Sequence, residues 1–251
     1  MGLFLVAALL APAAARALSA ASSAAPAALR VRYFDARGAA ELTRVLLEYG
    51  GVEYEDERWS IDFAAGMKSD GFLAAKAAGE LAQNLGRAPV LVVGGAALGQ
   101  TKAMERYVAR LTGLFGAGEL EAAQIDALAE HVRDVKDAQR IKDFSMFSKQ
   151  AADDKARRRA EWFETDLPSW LARIEAALDA NAAPGYGLGA KRSYFDFTLW
   201  AAMCDSVRAG EDEAATAAAL VAAPKLRAIV EAVDLEPAVQ AWVARRPATR
   251  F

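Results

Sequence analysis

The stretch YFDARG (residues 33–38) stands where a short alternating strand gives way to an amphipathic helix. On its amino-terminal side Leu29, Val31 and Tyr33 alternate with Arg30 and Arg32, the two-residue period of a half-buried strand. On its carboxyl side Leu42, Val45, Leu46 and Tyr49 recur at i, i+3, i+4 and i+7, one apolar helical stripe. Gly50 and Gly51 then close that helix. A tyrosine at the carboxyl end of a first strand, just ahead of a helix, occupies the place where α/β folds hold their ligands. Its phenol can donate a hydrogen bond to an anion.

Reading outward, residues 52–59 form a second strand, and residues 61–86 form a long connection with weak helical content. Residues 89–93 and 96–98 make a hairpin across Gly94-Gly95, a favoured two-residue turn. Thr101 caps a helix whose buried face carries Met104, Tyr107, Val108 and Leu111. This β-α-β-α-β-β-α order matches a thioredoxin-like domain. No Cys-x-x-Cys is present, so dithiol redox chemistry is ruled out. Residues 113–118 are a glycine-rich linker, and everything beyond reads as helix. The segments are 119 to about 148 and 151–164, then a helix opened by Pro168 with Leu171, Ile174 and Leu178 as its stripe. A loop over 184–189 follows, and Pro224 and Pro237 open the last two helices. Ser193-Tyr194-Phe195-Asp196 has the form of a capping box ahead of an apolar helix. The expected fold is therefore α/β followed by all-α. A thioredoxin-like βαβαββα domain spans 29–112 and a C-terminal helical bundle spans 119–251.

Composition narrows the function. The 251 residues are 54% hydrophobic and 25% charged, as in ordinary soluble domains. With 30 basic against 33 acidic residues, no strong field attracts nucleic acid or an anionic membrane. One cysteine, Cys204, excludes an intrachain disulfide, and one Cys with one His cannot build a structural zinc site. Cys204 sits in an apolar helical context and reads as inert. The first 28 residues differ from the rest. An apolar run over 3–10 is too short to span a bilayer, and Ala15-Arg16-Ala17 offers an A-x-A pattern before Ser- and Ala-rich sequence. We read residues 1–28 as a signal or transit segment outside the fold. That reading leaves a soluble protein of the cytoplasm or, with a working signal, of an organelle or secretory compartment.

YFDARG, Ala88-Pro89 before the apolar run 90–93, and Gln100-Thr101 at a helix start together resemble the glutathione-binding half of the glutathione transferases. YFDARG is similar to the opening of the sigma and mu classes. The ending PAVQAWVARRPATRF (residues 237–251) is similar to the end of sigma-class enzymes, which include the haematopoietic prostaglandin D synthases. The resemblance runs from Leu29 to Phe251. It implies a homodimeric transferase with glutathione as co-substrate and no metal. Such an enzyme conjugates the glutathione thiolate to small hydrophobic electrophiles in detoxification.

The resemblance also assigns residues. Tyr33 is the catalytic hydroxyl that stabilises the thiolate, because the thiol itself is a poor nucleophile. Phe34 adjoins it in the glutathione site. Ala88 pairs its backbone with the cysteinyl part, ahead of the family's cis-proline at Pro89. Gln100 and Thr101 hold the γ-glutamyl group at a helix N-terminus. For the glycyl carboxylate, Phe72 and Lys76 keep the spacing of the family's Trp and Lys without the indole donor. Arg87 replaces a Gln or Lys two before the proline, and Trp59 is a further alternative. Lys68 reads as a solvated charge, and Tyr49 and Tyr54 as packing. Asp134 falls where mu and sigma enzymes reach the partner's glutathione. Arg133 replaces the first of the sigma aspartate pair, which argues against an interfacial metal, and His131 reads as a surface or interface residue. Ser193 and Asp196 have a structural capping role. The electrophile pocket is expected between Tyr33 and the helices over 135–147, with the C-terminus. Ala39 and Ile141 stand where prostaglandin D synthases carry Arg and Trp, which disfavours that isomerisation. Two alternatives stay open: a non-catalytic ligand-binding or structural relative, and a glutathione-dependent isomerase.

Overall fold

The computed structural model describes residues 28–180 and 182–249. The reading of residues 1–28 as a targeting segment therefore lies, apart from Ala28, outside the described residues. Strand β1 (Leu29–Phe34) is central in a four-stranded sheet of order β2-β1-β3-β4. It runs parallel to β2 (Glu55–Trp59), with Arg30 opposite Glu55 and Phe34 opposite Trp59. It runs antiparallel to β3 (Val90–Val93), which turns back through Gly94 and Gly95 into β4 (Ala96–Leu98). Both turn glycines have positive φ, 55° and 90°, as a tight hairpin needs. The β2 ladder starts three residues later than the apolar pattern suggested, because pairing with β1 begins at Arg30–Glu55.

The alternation along β1 also breaks at Arg32, which is buried although the pattern places it outside. Its guanidinium is held by Glu57 at 2.7 and 3.0 Å and by Glu80 at 2.6 Å, so the buried charge is fully paired. Helix α1 (Glu41–Tyr49) shows the same effect more strongly: every residue from Glu41 to Leu47 is buried, not one stripe. The helix packs against α3 (Thr101–Leu111) on one side and α7 (Tyr194–Met203) and α10 (Pro237–Arg245) on the other. Gly51, with φ +61°, supplies the left-handed residue after α1, whereas Gly50 stays helical at −77°. In α3 the buried face is Met104, Glu105, Val108 and Ala109. Tyr107 and Leu111, expected inside, are 38% and 50% exposed. Glu105 takes the inward place because Tyr194 and Lys102 satisfy it at 2.6 and 2.8 Å.

After α2 (Asp70–Ala77) and α3, residues 113–118 lead into the helical domain. They are not a free linker: Leu114 and Phe115 are buried, and the Tyr194 N–H donates to the Leu114 carbonyl at 2.8 Å. Helix α4 (Glu119–Lys142) ends at Asp143, which is left-handed with φ 52°, short of the expected 148. The segments expected as separate helices join: α5 (Ala152–Glu161) continues through a π turn (Trp162–Asp166) into α6 (Leu167–Ala177). Pro168 has no N–H for an i−4 bond, and the wider turn just before it bonds Leu167 to Trp162 instead. Helices α8 (Glu213–Leu220) and α9 (Pro224–Asp234) complete the bundle around α7. Phe195, Phe197, Leu199 and Trp200 on α7 are wholly buried.

The capping box is present at the head of α7. The Asp196 carboxylate accepts from the Ser193 N–H at 3.0 Å and the Gly187 N–H at 2.9 Å. Burial nevertheless pushes its pKa up to about 6. The two domains share one apolar core and a buried polar clasp. Glu41 of α1 accepts from Trp242 at 2.8 Å and from Arg246 at 2.7 Å. Arg246 also lies 2.8 Å from Asp205, whose carbonyl accepts from Arg37 at 3.0 Å.

Candidate active site

Tyr33, half-buried, is the next-to-last residue of β1, at the mouth of the turn into α1. Its hydroxyl oxygen accepts the Ala39 N–H at 3.3 Å. The bond consumes a lone pair and leaves the phenolic proton free to be donated elsewhere. The turn below it is pinned by Arg44, which is wholly buried. Arg44 donates to the Ala36 carbonyl at 2.7 Å and to Asp56 at 3.0 Å, and lies 6.0 Å from the Tyr33 ring. Gly38 closes the turn with φ +42°, and a Cβ there would sit 2.8 Å from the Tyr33 oxygen. Glycine therefore permits both the backbone and the approach of the phenol. Arg44 was not singled out from the sequence, since a charge within an apolar helix reads as its solvent face.

The second wall is the loop around Pro89. The Ala88–Pro89 bond is cis, as the resemblance implies. Asn84, which sequence reasoning missed, ties this wall together. It is 5% exposed, donates to the Arg87 and Pro89 carbonyls at 3.0 and 2.9 Å, and accepts the Gln100 N–H at 3.1 Å. One side chain thus joins the cis-proline loop to the start of α3. Gln100 itself has φ +65° and sits at the N-cap position with no side-chain cap, while Thr101 is the first helical residue rather than the cap. The amides opening α3 are thereby left without a side-chain acceptor, as an anion site requires.

The candidates for the glycyl carboxylate separate. Phe72 packs its ring on Phe34 and Trp59, with centroids 5.1 and 5.8 Å apart, in a small second core. Trp59 is buried and its indole N–H is spent on Glu57 at 2.9 Å, which removes it as a ligand. Lys76, in the last turn of α2, and Arg87 are both exposed and near one another: a Cβ at Gly86 would lie 3.1 Å from Lys76 Cε, and Arg87 follows directly. Lys68 is exposed and paired with Asp70 at 2.7 Å. Tyr49 packs edge-on to Phe197 and Tyr54 donates to Glu48 at 3.2 Å, so both have packing roles.

A cavity of about 660 Å³ opens beyond the Tyr33 turn, lined by residues 37–39, Thr101, the middle of α4 and residues 205–210. It lies nearer the middle of α4 than the 135–147 span suggested, for Ile141, Met146 and Phe147 are exposed outside it. Asp134 and His131 are exposed on α4 and Arg133 pairs with Glu130. Cys204 is half-buried between Asp234 and Arg208, and burial pushes its thiol up to about 11, so it is not a nucleophile at neutral pH. Among the described residues no helix is long and apolar enough to cross a membrane. No group of three or more His, Cys, Asp or Glu could hold a metal there either.

Residues 29–110 match the family described as "Glutathione S-transferase, N-terminal domain", and residues 137–246 match "Glutathione S-transferase, C-terminal domain". The chain is 32% identical over 173 residues to "Glutathione S-transferase P" of Caenorhabditis elegans, covering 68% of this chain and 74% of that one. It is 26% identical over 223 residues to "Hematopoietic prostaglandin D synthase" of Gallus gallus, covering 88% and 97%. The solved structure of the glutathione S-transferase from Ascaris lumbricoides superposes with TM-score 0.69 at 23% identity over 89% of this chain and all of that one, a likeness of fold.

Proposed function

Because the chain belongs to the glutathione S-transferase family, we propose that it conjugates glutathione to small hydrophobic electrophiles with Tyr33 as the activating hydroxyl. The observation that carries this reading is the Tyr33 oxygen, which accepts Ala39 N–H and so keeps its own proton for the sulfur. A thiol of pKa about 8.5 is mostly protonated at neutral pH, and a hydrogen bond to the thiolate lowers that value. The remaining peptide contacts follow from the two walls. The Ala88 backbone takes the cysteinyl part, Gln100, Thr101 and the uncapped α3 amides the γ-glutamyl group, and Lys76 or Arg87 the glycyl carboxylate. Phe34 and Phe72 form the apolar floor between these walls. The sulfur then faces the cavity beside residues 37–39, where an electrophile is attacked.

We read the working unit as a homodimer in which Asp134 reaches the partner's glutathione. Its exposure on α4 is what such a role needs. The test is capture on immobilised glutathione, followed by conjugation of an aromatic halide. Tyr33→Phe should lower kcat about ten- to hundredfold, the value of one hydrogen bond to a charged group. It should leave glutathione affinity within a few-fold. The thiolate absorbance of bound glutathione, titrated with pH, should move up in the variant, and an unchanged titration removes Tyr33 from the mechanism. Capture without turnover in the native chain would favour the binding-protein alternative.

A further inference from the structure

The charged side chains around the cavity beyond Tyr33 are held by ion pairs or, for Arg37, by a backbone carbonyl, all but one. Glu41 and Asp205 are held by Arg246, and Glu105 by Lys102 and Tyr194. Arg133 pairs with Glu130 and Arg208 with Asp234. Arg37 is committed to the Asp205 carbonyl at 3.0 Å. Lys136 of α4 is left over: among the described residues no carboxylate lies within 4.0 Å of its ammonium. Its side chain is open to the cavity, yet the surrounding protein displaces enough water to lower its pKa, and Lys102 adds to the effect. Asp212 opposes it only from a distance. An ammonium that faces the cavity with no partner of its own is free to pair with an anion bound there.

We propose that Lys136 is the counter-ion for an anionic group, a carboxylate or sulfonate, on the electrophile, and that it makes the enzyme selective for acidic electrophiles. The inference rests on the transferase reading above. The glutathione carboxylates have other places, at the α3 amides and at Lys76 or Arg87, on the cis-proline side of the groove. Lys136 is on α4, the helix that walls the space an electrophile enters. An electrophile with a ring at residues 37–39 and an acidic tail toward α4 would complete the pairing.

The test compares 4-chloro-3-nitrobenzoate with its neutral carboxamide. In both, the thiolate sulfur bonds to the ring carbon and chloride leaves with its electron pair. Each kcat/KM is divided by the uncatalysed rate of the same compound with glutathione. The native enzyme should prefer the acid about tenfold, the worth of one charge-assisted bond. Lys136→Met should bring the ratio within about twofold of unity, and Lys136→Arg should restore most of it. Competitive inhibition by 4-nitrobenzoate against 4-nitrobenzamide should show the same preference and the same loss. A ratio unchanged in Lys136→Met overturns the inference, as does a raised KM for glutathione with the neutral compound, which would give the ammonium to glutathione. Conjugation of neither compound by the native enzyme overturns the transferase reading itself.

Discussion

Replacing Asn84 by Ala should disable glutathione binding while leaving the thiolate chemistry intact. The side chain makes three hydrogen bonds, two given to the Arg87 and Pro89 carbonyls and one taken from Gln100 N–H. Each is worth about 0.5–1.5 kcal/mol net, and a buried partner left unpaired costs about 1–3 kcal/mol. Pro89 lies in the buried part of this network, so the loss should total about 2–4 kcal/mol. That energy now holds the Ala88 backbone and the α3 amides at a fixed separation. Its loss lets them sample other arrangements, and affinity falls with the fraction that stays competent. Glutathione Kd, measured by calorimetry, should rise about ten- to several-hundredfold. At saturating glutathione, kcat should stay within a few-fold, because Tyr33 is held by Ala39 and Arg44, which Asn84 does not touch. Asn84→Asp keeps the acceptor for Gln100 but faces two carbonyls with no donor, and should be no better. A folded Asn84→Ala protein that binds glutathione as the native one does would refute the reasoning.

Gly38→Ala should lower kcat with little change in glutathione Kd, since the new methyl meets the Tyr33 hydroxyl at 2.8 Å at a residue with φ +42°; comparable kcat would show that the turn yields freely. Asp196 has a folded pKa of about 6 against 3.8 unfolded, so the native state binds its proton more tightly and stability falls as pH rises between those values. Chemical denaturation of the native protein relative to Asp196→Asn should therefore show a relative loss of about 2 kcal/mol from pH 4 to pH 7, and a flat difference would contradict the desolvated carboxylate. Asp134→Ala should weaken glutathione binding without changing the melting temperature, in a protein that sediments as a dimer; a monomer that conjugates glutathione fully would end the shared-site reading.

The parts of the molecule legible in the sequence are those whose signals are local. The strand-turn-helix at YFDARG, the Gly94-Gly95 hairpin and the Ser193–Asp196 box each complete their interactions within a few residues. The parts that were not legible depend on distant partners. Arg44 and Glu41 read as polar positions on a half-exposed helix, because their burial comes from Asp56, Trp242 and Arg246. The buried face of α3 was misjudged for the same reason, since Glu105 is tolerated inside only through Tyr194. Asn84 sits in a stretch with no periodic pattern, and its three partners come from the loop that follows and the start of α3. The π turn at Trp162–Asp166 has a cue in Pro168, but a proline there is equally compatible with a new helix.

The clasp of Glu41 by Trp242 and Arg246 has a consequence for how the protein is made. Glu41 leaves the ribosome 201 residues ahead of Trp242. At about 5–20 residues per second, α1 waits roughly 10–40 s for the side chains that neutralise it. The sheet and α3 can assemble meanwhile, but the α1 face destined for the interior stays uncovered until translation is nearly over. Newly made amino-terminal domains are therefore the form in which this protein is most open to aggregation and to chaperone capture. A stop codon just before Trp242 would leave both groove walls in the chain and take from two buried acids, Glu41 and Asp205, the cation they share, leaving only the looser Arg44 at 3.6 Å and Arg208 at 3.8 Å. Quality control should treat that nearly complete protein as unfinished.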